Sequence, residues 1–148
     1  MGLYLCIFDE DGEDICGVEV GLYNYFEEFR CLISKYTNKG LASKILKRKS
    51  RFTLPMTTLL NHSDCDGSWN VDECVQLKME LQEIKQVFMN EPPDLSIIKL
   101  KQDIFKFYGI KPENLFECFI DSDCEFLIDR LLELCDLAIQ ENRSIMFQ

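Results

Sequence analysis

The stretch Leu3-Tyr4-Leu5-Cys6-Ile7-Phe8, followed by Asp9-Glu10-Asp11-Gly12-Glu13-Asp14 and Ile15-Cys16-Gly17-Val18-Glu19-Val20, decides how the fold begins. Its first segment is an apolar run of strand formers, and its last alternates, with Val18 and Val20 on either side of Glu19. The acidic segment between them has Asp-Gly at its centre, and glycine accepts the left-handed backbone that a tight turn requires. An antiparallel hairpin is therefore predicted. The acids of that turn also suggest a calcium loop, but exposed hairpin turns draw Asp and Gly for their own backbone geometry, and a solvated turn is the simpler reading.

Outward from the hairpin, Leu22, Tyr25, Phe26, Phe29, Leu32, Ile33 and Tyr36 recur at helical spacing and predict an aromatic-rich amphipathic helix packed on it. Residues 37–51 read as a connection with a basic helical turn, interrupted at Gly40. Phe52-Thr53-Leu54-Pro55-Met56-Thr57-Thr58-Leu59-Leu60 reads as a third strand, with Pro55 placing it at an edge or at its beginning. Val71, Cys74, Leu77, Leu81, Ile84 and Phe88 mark a second helix, ended by Asn90 and Pro92-Pro93. Pro93 and Asp94 start a third, with Ile97, Leu100, Ile104, Phe107 and Tyr108 as its stripe and Gly109 as its stop. Residues 110–124 read as irregular. Phe126, Leu127, Leu131, Leu134, Cys135, Ala138 and Ile139 define a last helix, after which Ser144-Ile145-Met146-Phe147 can return as a closing strand. The expected fold class is α+β: a small mixed or antiparallel sheet packed with about four helices. With 148 residues, 47% of them hydrophobic, one domain spanning 1–148 can bury roughly two thirds of its unfolded surface.

No apolar run approaches the roughly 18 residues of a membrane span, and Met1-Gly2-Leu3-Tyr4 lacks the basic start of a signal peptide, so a cytoplasmic protein without a membrane partner is expected. The eight cysteines form no Cys-x-x-Cys pair and His62 is the only histidine, which argues for reduced, mostly buried thiols and against zinc or another cofactor. The net charge of −10 is segregated: residues 1–28 carry eight acids and no base, 29–63 eight bases and no acid, and 113–148 nine acids against Arg130 and Arg143. The basic stretch Lys44, Lys47, Arg48, Lys49 and Arg51 can fold back to relieve repulsion between the acidic ends. Alternatively, those ends form a negative face that steers a basic partner. Direct binding of nucleic acid is disfavoured, because the field of the whole chain opposes phosphate.

One segment concentrates polar groups: His62-Ser63-Asp64-Cys65-Asp66-Gly67-Ser68-Trp69-Asn70-Val71-Asp72-Glu73. Counted as a calcium loop it puts Asp64 and Asp66 at positions three and five, Gly67 at the turn and Glu73 at twelve, but His62 occupies the first position where a hard carboxylate belongs. Counted as a helix start it is a capping box, with Asn70 as N-cap and Glu73 reaching back. A third reading pairs His62 with Asp64 as a general acid and base of a hydrolase, although no nucleophile or phosphate loop accompanies them. No enzymatic activity is therefore expected. The tripeptide Ser122-Asp123-Cys124 repeats Ser63-Asp64-Cys65, and if the two loops met, Asp64, Asp66, Asp121, Asp123, His62 and Trp69 would make an acidic partner-binding rim. Trp69 reads as core, or as a hot spot if exposed.

The opening Met1-Gly2-Leu3-Tyr4-Leu5-Cys6-Ile7-Phe8, the stretch Gly17-Val18-Glu19-Val20-Gly21, the loop His62-Ser63-Asp64-Cys65-Asp66-Gly67 and the closing Ile145-Met146-Phe147-Gln148 together resemble the immunity protein 70 family of bacterial polymorphic toxin systems. The resemblance runs over nearly the whole chain. It implies a cytosolic antitoxin that neutralises a cognate toxin by a tight inhibitory complex, and no enzyme. Because toxins that cut nucleic acid need basic clefts, an acidic immunity protein suits a basic, nuclease-type partner.

Overall fold

The structure, a computed structural model, describes residues 2–37, 51–63 and 66–148. The hairpin forms where the sequence places it: β1 (Gly2–Phe8) pairs antiparallel with β2 (Asp14–Leu22). Asp9 builds the turn, its Oδ1 accepting from the amides of Asp11 at 2.8 Å and Glu13 at 2.9 Å, while Gly12 takes φ 79°. That carboxylate oxygen is spent on the backbone. On the outer face Tyr4 lies across Gly17, where a Cβ would come within 2.1 Å of the phenol oxygen, and the hydroxyl donates to Asp14. Only glycine leaves room for that ring.

The other flank of β1 receives the chain's end. β4 (Ile145–Phe147) is the predicted closing strand, and β3 (Ser68–Trp69) pairs beside it, so the order is β2-β1-β4-β3 with every pair antiparallel. Leu3, Leu5, Ile7 and Val18 with Ile145, Phe147 and Trp69 make a buried row that joins the helical side chains in one core. In the alternate row Tyr4, Phe8 and Met146 are half-buried and Glu19 is exposed, with Cys6 buried among them. Apart from Cys6, this is the period-two signature of a sheet covered mainly on one side.

Among the described residues there are six α-helices. α1 (Tyr23–Tyr36) buries Tyr25, Phe26, Phe29 and Ile33, the predicted stripe. The strand expected over residues 52–60 does not form. Met56 adopts a left-handed backbone at φ 58°, and α2 (Thr57–Leu60) follows as a single helical turn. The reason lies in α3 (Val71–Met89), whose carboxylates take the amides a strand would have paired. Glu83 accepts from the Thr53 amide and hydroxyl and from the Leu54 amide. Glu80, fully buried, accepts from the amides of Thr58 at 3.3 Å and Leu59 at 3.1 Å, which open α2. The basic turn expected within residues 37–51 falls outside the described residues except at its ends, where the Arg51 amide donates to the Tyr36 carbonyl at 2.9 Å.

α3 begins at the expected capping box: the Glu73 amide donates to Asn70 Oδ1 at 2.8 Å and the Asn70 amide to Glu73 Oε1 at 3.1 Å. The single third helix expected after Pro93 is two, α4 (Leu95–Leu100) and α5 (Gln102–Tyr108), broken at Lys101 with φ −126° and ψ 32°. Gly109 ends α5 in the left-handed region, as expected of a C-terminal glycine. A 3₁₀ turn (Phe116–Cys118) interrupts the irregular stretch before α6 (Leu127–Glu141), whose Leu127, Ile128, Leu131, Leu134 and Ala138 are buried. Phe29 is the hub where these layers meet, packing on Phe119 at 4.9 Å and edge-on to Phe88 at 6.3 Å.

Replacing Glu80 by Ala strands two amides in the interior. Glu80→Ala is expected to lower stability by about 1–3 kcal/mol in urea unfolding, whereas Asp72→Ala on the exposed first turn of α3 costs no more than about 1 kcal/mol.

Candidate functional site

The two outer strands leave backbone groups that must find partners, and each edge is closed by side chains from the segments carrying the candidate residues. At β2 the closure is cationic. Lys101 Nζ donates to the carbonyls of Val20 at 3.0 Å and Ile120 at 2.6 Å, and lies 4.0 Å from the centroid of the Tyr25 ring. The Ser122 amide donates to the Glu19 carbonyl at 2.8 Å, and Arg130 Nη2 to the Gly17 carbonyl at 3.3 Å. Beneath them the buried Tyr25 hydroxyl donates to the Cys118 carbonyl and accepts from the Ile120 amide, both at 2.9 Å, and burial holds this phenol well above its ordinary pKa.

Asp121 ties this edge together. Fully buried, it accepts through Oδ1 from the amides of Asp123 and Glu125 at 2.9 Å and through Oδ2 from Arg130 Nε at 3.1 Å. Asp123 itself points to solvent. Burial pulls the Lys101 ammonium from 10.5 down to about 8, against the attraction of Asp121, Cys124 and Glu19.

At the opposite edge an aromatic cluster replaces the cations. The His62 ring stacks on Phe147 at 4.2 Å and lies 5.0 Å from Trp69, which meets Phe147 edge-on at 4.7 Å. Nδ1 and Nε2 of His62 lie 2.7 Å from the Ser63 carbonyl and 2.9 Å from the Ser68 carbonyl, so both face backbone. Trp69 is buried, its indole donating to the Thr58 carbonyl at 3.2 Å, while Arg30 Nη2 donates to the carbonyls of Leu60 and His62. Asp66 is exposed.

The structure thus places His62, Asp66 and Trp69 beside β3 and Asp121 and Asp123 beside β2; Asp64 lies outside the described residues. The described parts of the two Ser-Asp-Cys loops sit at opposite edges of the sheet and do not meet in one rim. Glu73, the last position of the calcium count, is engaged in the helix cap, and among the described residues no three His, Cys, Asp or Glu side chains gather as a metal would require. Sequence reasoning passed over Lys101 and Arg130. Ile97, Lys101 and Phe105 recur at i, i+4 and i+8, a spacing that puts the lysine on the buried side of its segment.

Exposed carboxylates gather elsewhere. The hairpin tip carries Glu10, Asp11 and Glu13, and Glu10 approaches Arg143 at 3.5 Å, just beyond the end of α6, whose outer face bears Glu133, Asp136 and Glu141. Some of these are matched: Asp136 pairs with Lys78 at 2.6 Å and Glu133 with Arg130 at 3.2 Å.

A profile of the family described as immunity protein 70 matches residues 3–147. The chain belongs to that family. A curated relative, a histidinol-phosphate aminotransferase of a Hydrogenobaculum species, is 32% identical over 75 residues, covering 51% of this chain and 21% of the enzyme. The chain thus spans about a fifth of the length of that relative. No solved structure matches it. No helix among the described residues is long and apolar enough to cross a membrane.

Two outcomes follow from the β2 edge. Asp121→Ala is expected to destabilise the protein by on the order of 3 kcal/mol, since it strands Arg130 Nε and two amides, while Asp66→Ala at the other edge stays within about 0.5 kcal/mol, both measured by chemical unfolding. Lys101 gives up its proton near pH 8 in the folded chain and near 10.5 in the unfolded one. Stability from this group therefore rises with pH between those values and is independent of pH below them. The stability difference between wild type and Lys101→Met should widen over that window; a constant difference contradicts the assignment.

Proposed function

We propose that this immunity protein works in the cytoplasm by binding and blocking a cognate toxin of a polymorphic toxin system, without turning over a substrate, and that an acidic surface draws it to a basic, nuclease-type toxin. The family supports the inhibitory role. The observation that carries the electrostatic part is the adjoining of the hairpin tip and the end of α6, marked by the Glu10–Arg143 approach, which puts the exposed carboxylates Asp11, Glu13, Glu133 and Glu141 on neighbouring elements. A one-signed surface raises the rate of encounter with an opposite one.

Recognition runs through side chains. Along β2, Gly17, Glu19 and Val20 already accept from Arg130, Ser122 and Lys101, so a partner strand would have to displace them before adding to that edge. Of the six candidate residues, Asp66 and Asp123 are exposed for direct contact, and His62, Trp69 and Asp121 hold the loops that present them. Asp64 completes the set as a contact of the first loop.

The test uses the protein encoded by the reading frame adjacent to this one. Co-expression should protect cells from it, and the association rate should fall about tenfold or more between low and high salt. The triple variant Glu10→Lys, Asp11→Lys, Glu13→Lys should slow association with little change in dissociation. A rate indifferent to ionic strength removes the electrostatic part, and absence of protection removes the inhibitory role.

A further inference from the structure

The helices α4 and α5 leave an apolar groove open on the surface. Its volume is about 680 Å³, and Pro93, Leu95, Ile98, Phe105, Ile110 and Pro112 supply its apolar lining. Leu95, which lines the groove, is 78% exposed. A scattered exposed leucine is ordinary, but a continuous apolar surface of this kind marks a place where something binds. The polar rim has one sign. Lys99, Lys106 and Lys111 line the groove and no carboxylate does, in a chain whose net charge is −10.

We propose that this groove is a docking site for an amphipathic segment of the toxin, whose apolar side chains enter between α4 and α5 and whose flanking carboxylates meet the three lysines. The inference rests on the reading that the chain acts by holding a toxin, and it names the contact that anchors the complex. Charge complementarity selects the occupant. A basic or neutral apolar segment would leave three lysines unpaired at the rim, whereas an acidic one converts them into short-range pairs around a desolvated apolar centre.

Two synthetic helix-forming peptides provide the probe: both carry Leu and Phe at helical spacing, one with glutamates at its flanks and the other with lysines in their place. In fluorescence anisotropy the glutamate peptide should bind at least about tenfold more tightly. Leu95→Glu and Lys106→Glu, both at exposed positions, should each abolish that preference with unchanged circular dichroism and melting temperature. Equal affinity for the two peptides, or binding that neither variant alters, overturns the proposal. With the adjacent-frame protein, Leu95→Glu should weaken the complex about tenfold or more. If wild type protects and Leu95→Glu binds and protects as well, the groove is refuted while the inhibitory role stands; if wild type itself fails to protect, it is the inhibitory role that falls. A wild-type dimer that Leu95→Glu converts to monomer assigns the groove to a second copy of this chain and likewise overturns the proposal.

Discussion

The outer carbonyls of β2 are the constraint on which much of this architecture depends. β1 is satisfied on both sides by β2 and β4, but β2 has a partner on one side only, and its Gly17, Glu19 and Val20 carbonyls would otherwise be open to another chain. The protein satisfies them with two cations and one amide, supplied by three segments distant in sequence. Each supplier is fixed in turn. Arg130 is held by Asp121, Asp121 is held by the turn that leads into α6, and Lys101 is sandwiched between Tyr25 and the two carbonyls it serves. The edge is therefore the point where α1, α6 and the α4–α5 pair are tied to the sheet.

Drawing Lys101 inward has a consequence for the surface. The residues 95–108 carry enough apolar side chains for one continuous amphipathic helix, and a straight helix could lay most of them on the core. The backbone departs from helical values at Lys101, where the side chain turns to the β2 edge, and the two short helices keep only Ile97 and Phe105 fully inside. Leu95, Phe107 and Tyr108 are left to solvent, and the space between the helices becomes the lysine-rimmed groove. The edge closure and the apolar groove are two results of one placement.

How far the sequence discloses this depends on how local the cause is. The hairpin, the capping box at Asn70 and Glu73, the stop at Gly109 and the stripes of α1, α3 and α6 are each fixed by residues within a few positions, and they are legible. The segment 52–60 has strand-forming composition, yet it turns at Met56 because Glu80 and Glu83, more than twenty positions away, supply acceptors for its amides. No local propensity reports that. In the candidate site, burial of Trp69 was foreseeable from its apolar character, but the interior role of Asp121 was not: an acid next to Ser122 and Asp123 looks like a solvated loop until Arg130 is known to face it. The repeated tripeptide suggested one rim, and strand order separates its two described halves across the sheet.

The charge layout leads to a division of labour. Long-range attraction depends on the summed field, which for a chain of net charge −10 is negative overall. At contact distance the local groups dominate, because screening over about 8–10 Å removes the distant ones. Three lysines around an apolar groove are then a positive site inside a negative field, and a purely basic partner would be attracted by the molecule and repelled by that site. A partner that satisfies both must itself be divided, basic over much of its surface with a local apolar and acidic segment. Such a requirement discriminates against nucleic acid, which offers phosphate without the apolar segment, and against generic cationic proteins, which lack the carboxylates. Under the proposed docking, specificity follows from opposing charges at two length scales, with the sealed β2 edge limiting the backbone-pairing route that would bypass both.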